Sequence, residues 1–168
     1  YTTLFRSLLG FSVLFMAAGG LLCLIIILIQ GWEPVGFIKL FFVGLGEGVM
    51  MWAGALPCIL IVVLINRSYI ISVIIAFFYT TANYILSTNE LFLTQPFGLN
   101  PGTLLPGPLS WRWIFQFYEY SRISDETAQM LERVSPYFVS TPQAFLVAAA
   151  ESAVFLFLIA LVYRRQKS

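Results

Sequence analysis

Of 168 residues, 60% are hydrophobic and 10% charged, none is histidine, and the formal net charge is +1. A soluble domain carries about a quarter charged residues, so the solvent of this chain has to be lipid, where the backbone is satisfied only by helices or a closed barrel. The near-neutral charge excludes a nucleic-acid footprint, and without histidine the usual general base, the HExxH zinc motif and the Ser-His pair are all missing.

Apolar runs of about 20 residues or more, continuous instead of alternating, select helices. The fold expected is therefore all-α: a polytopic transmembrane helix bundle of four spans, with a partly helical external loop before the last. Residues 1–7, YTTLFRS, resemble the translated read-through of a sequencing adapter. They are read as non-biological, and residues 8–168 as a single transmembrane domain from a truncated protein.

The first span is expected over residues 8–30, which carry no charge and contain the small-residue patch Ala17-Ala18-Gly19-Gly20, a mark of close helix packing. Gly31-Trp32-Glu33-Pro34 breaks it with an interfacial tryptophan. The second span, residues 37–65, is longer than a perpendicular crossing needs. Pro57 falls inside it and predicts a kink near Gly54, whose freed carbonyl must find another donor. A polar turn, Asn66-Arg67-Ser68, leads into the third span at residues 69–87.

Residues 88–140 form the one large polar segment. Its first part, with Pro96, Pro101, Pro106 and Pro108 among Gly98, Gly102 and Gly107, is expected to be irregular. Trp111, Trp113, Phe115, Phe117, Tyr118 and Tyr120 then crowd together, which suits an interfacial or re-entrant element at headgroup level. That cluster reads either as an external gate or lipid or peptide contact, or as plain anchoring. Ser124 caps an acidic first turn, Asp125-Glu126, and a short helix should reach Val134 with Met130, Leu131 and Val134 on one face. The last span, residues 142–163, starts after the capping sequence Ser140-Thr141-Pro142 and ends in Arg164-Arg165-Gln166-Lys167.

Cytoplasmic loops retain Lys and Arg. Arg67 and the Arg164, Arg165, Lys167 tail fall on one side of a four-span chain, so that side, with the C-terminus, is expected in the cytoplasm and residues 88–140 outside.

Two carboxylates lie within spans, Glu47 in Gly44-Leu45-Gly46-Glu47-Gly48 and Glu151 in Ala148-Ala149-Ala150-Glu151-Ser152. Charges in lipid are costly and default to an interior-facing role. Counted from their span starts, both are expected about 15 Å deep, and the Gly44 to Gly48 spacing permits close helix packing. They read as a polar level in a translocation path or subunit interface, or as protonated or hydrogen-bonded side chains without a transport role. The sequence GLGEG is no phosphate loop, since it sits in a span and lacks a following Lys-Ser/Thr. Cys23 and Cys58 lie singly in apolar runs and read as small buried hydrophobes. No cofactor or metal is expected.

A proline-containing long helix (Gly54-Ala55-Leu56-Pro57), the Asn66-Arg67-Ser68 turn, another span, an external segment with Gly98-Leu99-Asn100-Pro101, and a last span with a basic end together make a pattern. It resembles the permease subunits of ABC exporters of the second exporter type, especially lantibiotic-immunity and bacitracin-resistance permeases. The resemblance implies that the four spans are the third to sixth of six and that a separate ATP-binding subunit hydrolyses ATP, so the chain is no enzyme itself. It also implies a second permease chain, identical or different, and a hydrophobic or peptide-like substrate moving outward across the bacterial cytoplasmic membrane. Asn66, Arg67 and Ser68 would then be the cytoplasmic contact to the ATPase. A membrane anchor or sensor is the main alternative. A secondary transporter is the next, although no second copy of a broken helix is visible.

Overall fold

Lipid offers no partner to a bare amide, so an uninterrupted apolar run closes its hydrogen bonds on itself, and four runs do so here. The structure, a computed structural model, describes residues 2–30, 36–65, 69–118 and 124–167. In chain order the helices are α1 (Thr2–Ile29), α2 (Phe37–Leu64), α3 (Tyr69–Ser87), α4 (Glu90–Leu93), α5 (Pro101–Leu104), α6 (Pro106–Ile114), α7 (Asp125–Val134) and α8 (Thr141–Lys167). Turns of 3-10 helix follow α6 (Phe115–Phe117) and α7 (Ser135–Tyr137). No strand occurs among the described residues. The chain is thus all-α and polytopic.

Four stretches are long and apolar enough to cross a membrane: Leu9–Ile29, Phe37–Leu64, Ile70–Ser87 and Thr141–Arg165. Their outward faces carry Leu14, Phe42, Phe77, Phe78 and Phe157, each more than 60% exposed. Apolar surface on that scale is covered by lipid or by another chain.

The chain divides into two units, residues 1–52 and 53–168. Within the first, α1 meets the beginning of α2 at two glycines. A Cβ on Gly48 would lie 3.0 Å from the Ser12 carbonyl oxygen and from Val13 Cα, and one on Gly20 would lie 2.9 Å from the Phe41 ring. The lack of side chains at these positions lets the helices approach to backbone distance. Met50 is buried in the same unit.

The second unit is organised around the segment between α3 and α8. Residues 94–100, with Pro96 and Gly98, are irregular as expected, whereas Pro101–Leu104 and Pro106–Ile114 are helical in spite of their prolines and glycines. The reason is positional, because proline is favoured in the first turn of a helix, where its missing N–H costs no bond. Pro101 opens α5, whose N-cap Asn100 accepts from the Thr103 amide, and Pro106 opens α6. Ser124 caps α7 by accepting from the Thr127 amide, and Leu131 and Val134 are buried on the face expected of them. At α8 the cap is Ser140, one residue earlier than the sequence pattern suggested: Gln143 Oε1 accepts from both the amide (3.1 Å) and the hydroxyl (2.8 Å) of Ser140.

Leu93, Phe115, Leu131 and Val134 form the core of this segment, with Trp111, Met130 and Phe138 packed against it. Part of the aromatic cluster belongs to this core. Trp113 and Phe115 are 2% and 7% exposed, Trp111 lies 5.0 Å from Phe115, and Trp113 lies 5.6 Å from Phe117 and 5.4 Å from Phe145 of α8. Aromatic rings at such spacing add to the apolar burial that holds a small core. Tyr118 is on the exposed edge, and Tyr120 falls outside the described residues.

Arg112 joins the pieces. It is fully buried, and its guanidinium donates to the carbonyls of Tyr137 (2.8 Å), Gly102 (2.7 Å) and Gln95 (2.9 Å) and to the Thr103 hydroxyl (3.3 Å). Its own carbonyl accepts from the Val139 amide. Burial lowers the guanidinium pKa from its ordinary value. The fork of fixed donors satisfies three backbone stretches that no sheet or helix ladder would serve.

Candidate functional site: a polar level in the second unit

The position of the site follows from how α6 is rooted. α6 packs chiefly on α3, its Gly107 amide donates to Asn83 Oδ1 at 3.1 Å, and a Cβ on Gly107 would come 2.8 Å from the Asn83 carbonyl. Pro106 sits on α2 at Gly54, where an added Cβ would lie 3.0 Å from the proline ring. A contact at Gly54, ten residues before the end of α2, places the start of α6 within the spans.

One turn along α3 from Asn83, the Tyr79 hydroxyl donates to the Gly54 carbonyl at 3.3 Å. Pro57 has no N–H for the carbonyl four residues back, that of Ala53. Helix α2 nevertheless runs continuously from Phe37 to Leu64, and the turn before Pro57 receives its extra donor from a neighbouring helix. The register had a sequence signal: Gly54 and Tyr79 are equidistant in sequence from the polar residues between the second and third spans, so an antiparallel pair of spans places them opposite each other.

Glu151 of α8 and Cys58 of α2 lie within electrostatic range of the Tyr79 hydroxyl. The Cys58 thiol lies near Thr80, whose hydroxyl donates to the Ala76 carbonyl at 2.8 Å. Measured at about 1.5 Å per residue, Glu151 lies about 15 Å along α8 from Thr141, and Tyr79 about 12 Å along α3 from Ser87. Both distances start from the ends that meet the inter-span segment. Residues of three helices, Cys58, Tyr79 and Glu151, thus come into electrostatic range of one another around Tyr79.

Glu151 is half-buried. Ser152 beside it is 6% exposed, and its Oγ has no hydrogen-bond partner among the described residues. It shares a helix face with Ala144, Ala148 and Ile159, all buried.

The other sequence candidates are distributed as follows. Glu47 is a half-buried residue of α2 in the first unit, and Gly48 next to it meets α1. Gly44 faces open space within 4 Å. Asn66, Arg67 and Ser68 lie outside the described residues. Tyr79, Asn83, Arg112 and Ser152 escaped sequence reasoning. Arg112, set between two tryptophans in a hydrophobic stretch, carried the one signal of composition, since a charge in such surroundings is buried only when bonded.

Residues 5–83 match the family model described as ABC-2 family transporter protein. The match covers just under half of the chain and is a likeness to the membrane component of ABC-type transporters over that stretch. No curated protein and no solved structure matches the chain.

Proposed function

We propose that the chain is the membrane-spanning permease subunit of an ATP-driven exporter, moving a hydrophobic or peptide-like substrate outward. The observation that carries this reading is the match of residues 5–83 to the ABC-2 transporter family, which takes in α1, α2 and most of α3. ATP is hydrolysed by a separate subunit, two permease chains line the path, and the arrangement is of the lantibiotic-immunity and bacitracin-resistance kind. Arg67 together with Arg164, Arg165 and Lys167 assigns the C-terminus to the cytoplasmic face of a bacterial cell membrane. Residues 88–140 then face outward, and the Asn66-Arg67-Ser68 turn approaches the ATPase. Glu47 and Glu151 serve as polar levels of the path.

The test is co-expression with an ATP-binding subunit, sought first among the neighbouring reading frames. A complex that survives affinity purification, and vanadate-sensitive efflux of fluorescent bacitracin from cells carrying both chains, is the expected result. Failure to associate with any such ATPase overturns the reading, and a stable complex with a histidine kinase instead replaces it with a sensor subunit.

A further inference from the structure

We propose that the turn from Leu104 to Gly107, between α5 and α6, is a re-entrant element set in the hydrocarbon of the leaflet nearest the inter-span segment, where Leu104 packs against lipid acyl chains. Neither transport nor sidedness is needed for this placement.

Depth comes from the two seats of the turn. Pro106 rests on Gly54, ten residues before the end of α2 at Leu64, and Gly107 rests on Asn83, fourteen residues after the start of α3 at Tyr69. At about 1.5 Å per residue the seats lie about 15 and 21 Å from the span ends remote from the inter-span segment, inside a hydrocarbon layer about 30 Å thick. Leu104 is two residues from Pro106 and so within about 8 Å of it. Its side chain is nonetheless 43% exposed. Helix α3, on which α6 packs, turns Phe77, Phe78 and Ile85 outward at the same depths, so the hydrocarbon that covers them reaches the level of Leu104.

The backbone is made for such a place. A turn in water leaves free amides to the solvent, whereas a turn in lipid has to close them all. Pro101, Pro106 and Pro108 have no N–H to close. The Gly102 amide donates to Gln95 Oε1 (2.8 Å), that of Thr103 to Asn100 Oδ1 (3.1 Å) and that of Gly107 to Asn83 Oδ1 (3.1 Å). The amides of Leu104, Leu105 and Leu109 donate to the carbonyls of Asn100, Pro101 and Leu105 at 2.9, 3.0 and 3.1 Å. From Pro101 to Leu109 every amide is therefore absent or bonded. Leu104 is exposed, and Leu105, Pro106 and Gly107 are only half-buried, so it is not burial inside the protein that demands this closure. Charge falls in the same pattern, since a charge in lipid is costly and none occurs from Leu91 to Trp111.

The probe is a nitroxide on Leu104→Cys, in a Cys23→Ala, Cys58→Ala background of the full chain in neutral-lipid liposomes. Gln129→Cys, on the exposed polar face of α7, is the aqueous reference. Power saturation of the EPR signal reads collision with oxygen, which concentrates in hydrocarbon, and with a polar nickel chelate, which stays in water. At Leu104 the nickel collision rate is expected to be about five-fold or more below that at Gln129, with oxygen collision higher. Nickel collision equal to that at Gln129 overturns the placement. A label reached by neither reagent assigns the face to a protein neighbour and overturns it as well. Should the labelled variant fail to fold, judged by helical circular dichroism and elution profile, the unsubstituted chain carries the test. A phospholipid with a mid-chain diazirine should then cross-link to the peptide that contains Leu104 and spare α7. Adducts that are absent from the Leu104 peptide, or matched by those on α7, overturn the proposal.

Discussion

Arg112 is anchored by four hydrogen bonds to carbonyls and a hydroxyl, and this decides how its replacement behaves. Removing the guanidinium leaves the Tyr137, Gly102 and Gln95 carbonyls unserved inside a small core. Arg112→Ala is expected to destabilise the inter-span segment by about 3–5 kcal/mol, seen as a lower midpoint in thermal unfolding in detergent. Arg112→Lys should recover less than half, because a single ammonium lacks the planar fork that reaches three separate stretches. Gly102 is the second sensitive point: a Cβ there would collide with the Phe92 carbonyl and come 3.0 Å from Gln95 Oε1. Gly102→Ala is expected to cost about 1–3 kcal/mol by overpacking, read by the same unfolding measurement. The two intramembrane carboxylates could be picked out from the sequence because a charge among apolar residues is conspicuous. Their surroundings could not, since Tyr79 and Ser152 are ordinary membrane-helix residues until neighbouring helices place them.

Helix starts were the most readable elements. Ser124 ahead of Asp125-Glu126 determines where α7 begins, and the buried pair Leu131 and Val134 follows from the 3.6-residue period. Ser124→Ala should cost about 1 kcal/mol, detectable as faster amide hydrogen exchange at Thr127 with little change elsewhere. The proline-rich stretch was less readable because proline reports only that a helix does not pass through it. Whether the residue starts a helix or stands in a coil depends on the tertiary support α5 and α6 find on α3 and on Arg112. The Arg133–Glu90 ion pair that links α7 to α4, 2.8 Å long with side chains 65% and 45% exposed, is a weak fastening. Glu90→Gln is expected to change stability by less than about 0.5 kcal/mol, measured by denaturant midpoint, so the apolar core and not this pair joins the two helices.

On the scale of the whole molecule, composition alone settled class and solvent. Span number followed from run length, because the lipid thickness acts as a ruler on the sequence. The aromatic cluster shows the limit of that reasoning: a Trp- and Phe-rich stretch does not name its packing partners, and the core it forms with Leu93, Leu131 and Val134 comes into view only in the structure. The proposed orientation gives a direct prediction. In a Cys23→Ala, Cys58→Ala background, Leu99→Cys, at a position 95% exposed, should react with a membrane-impermeant maleimide added to intact cells. A cysteine that reacts only after the membrane is opened would reverse the sidedness.

The partners of Arg112 also set a schedule for assembly. Its guanidinium closes on Gln95 and Gly102, made before it, but its remaining carbonyl partner is Tyr137, and its own carbonyl waits for the Val139 amide. Both arrive immediately ahead of α8. A nascent chain thus emerges with this charged side chain only partly bonded for some 25 residues of synthesis, and the segment can lock only as the last span begins to enter the membrane. Chains stalled between Arg112 and Tyr137 should therefore be the ones quality-control proteases remove first.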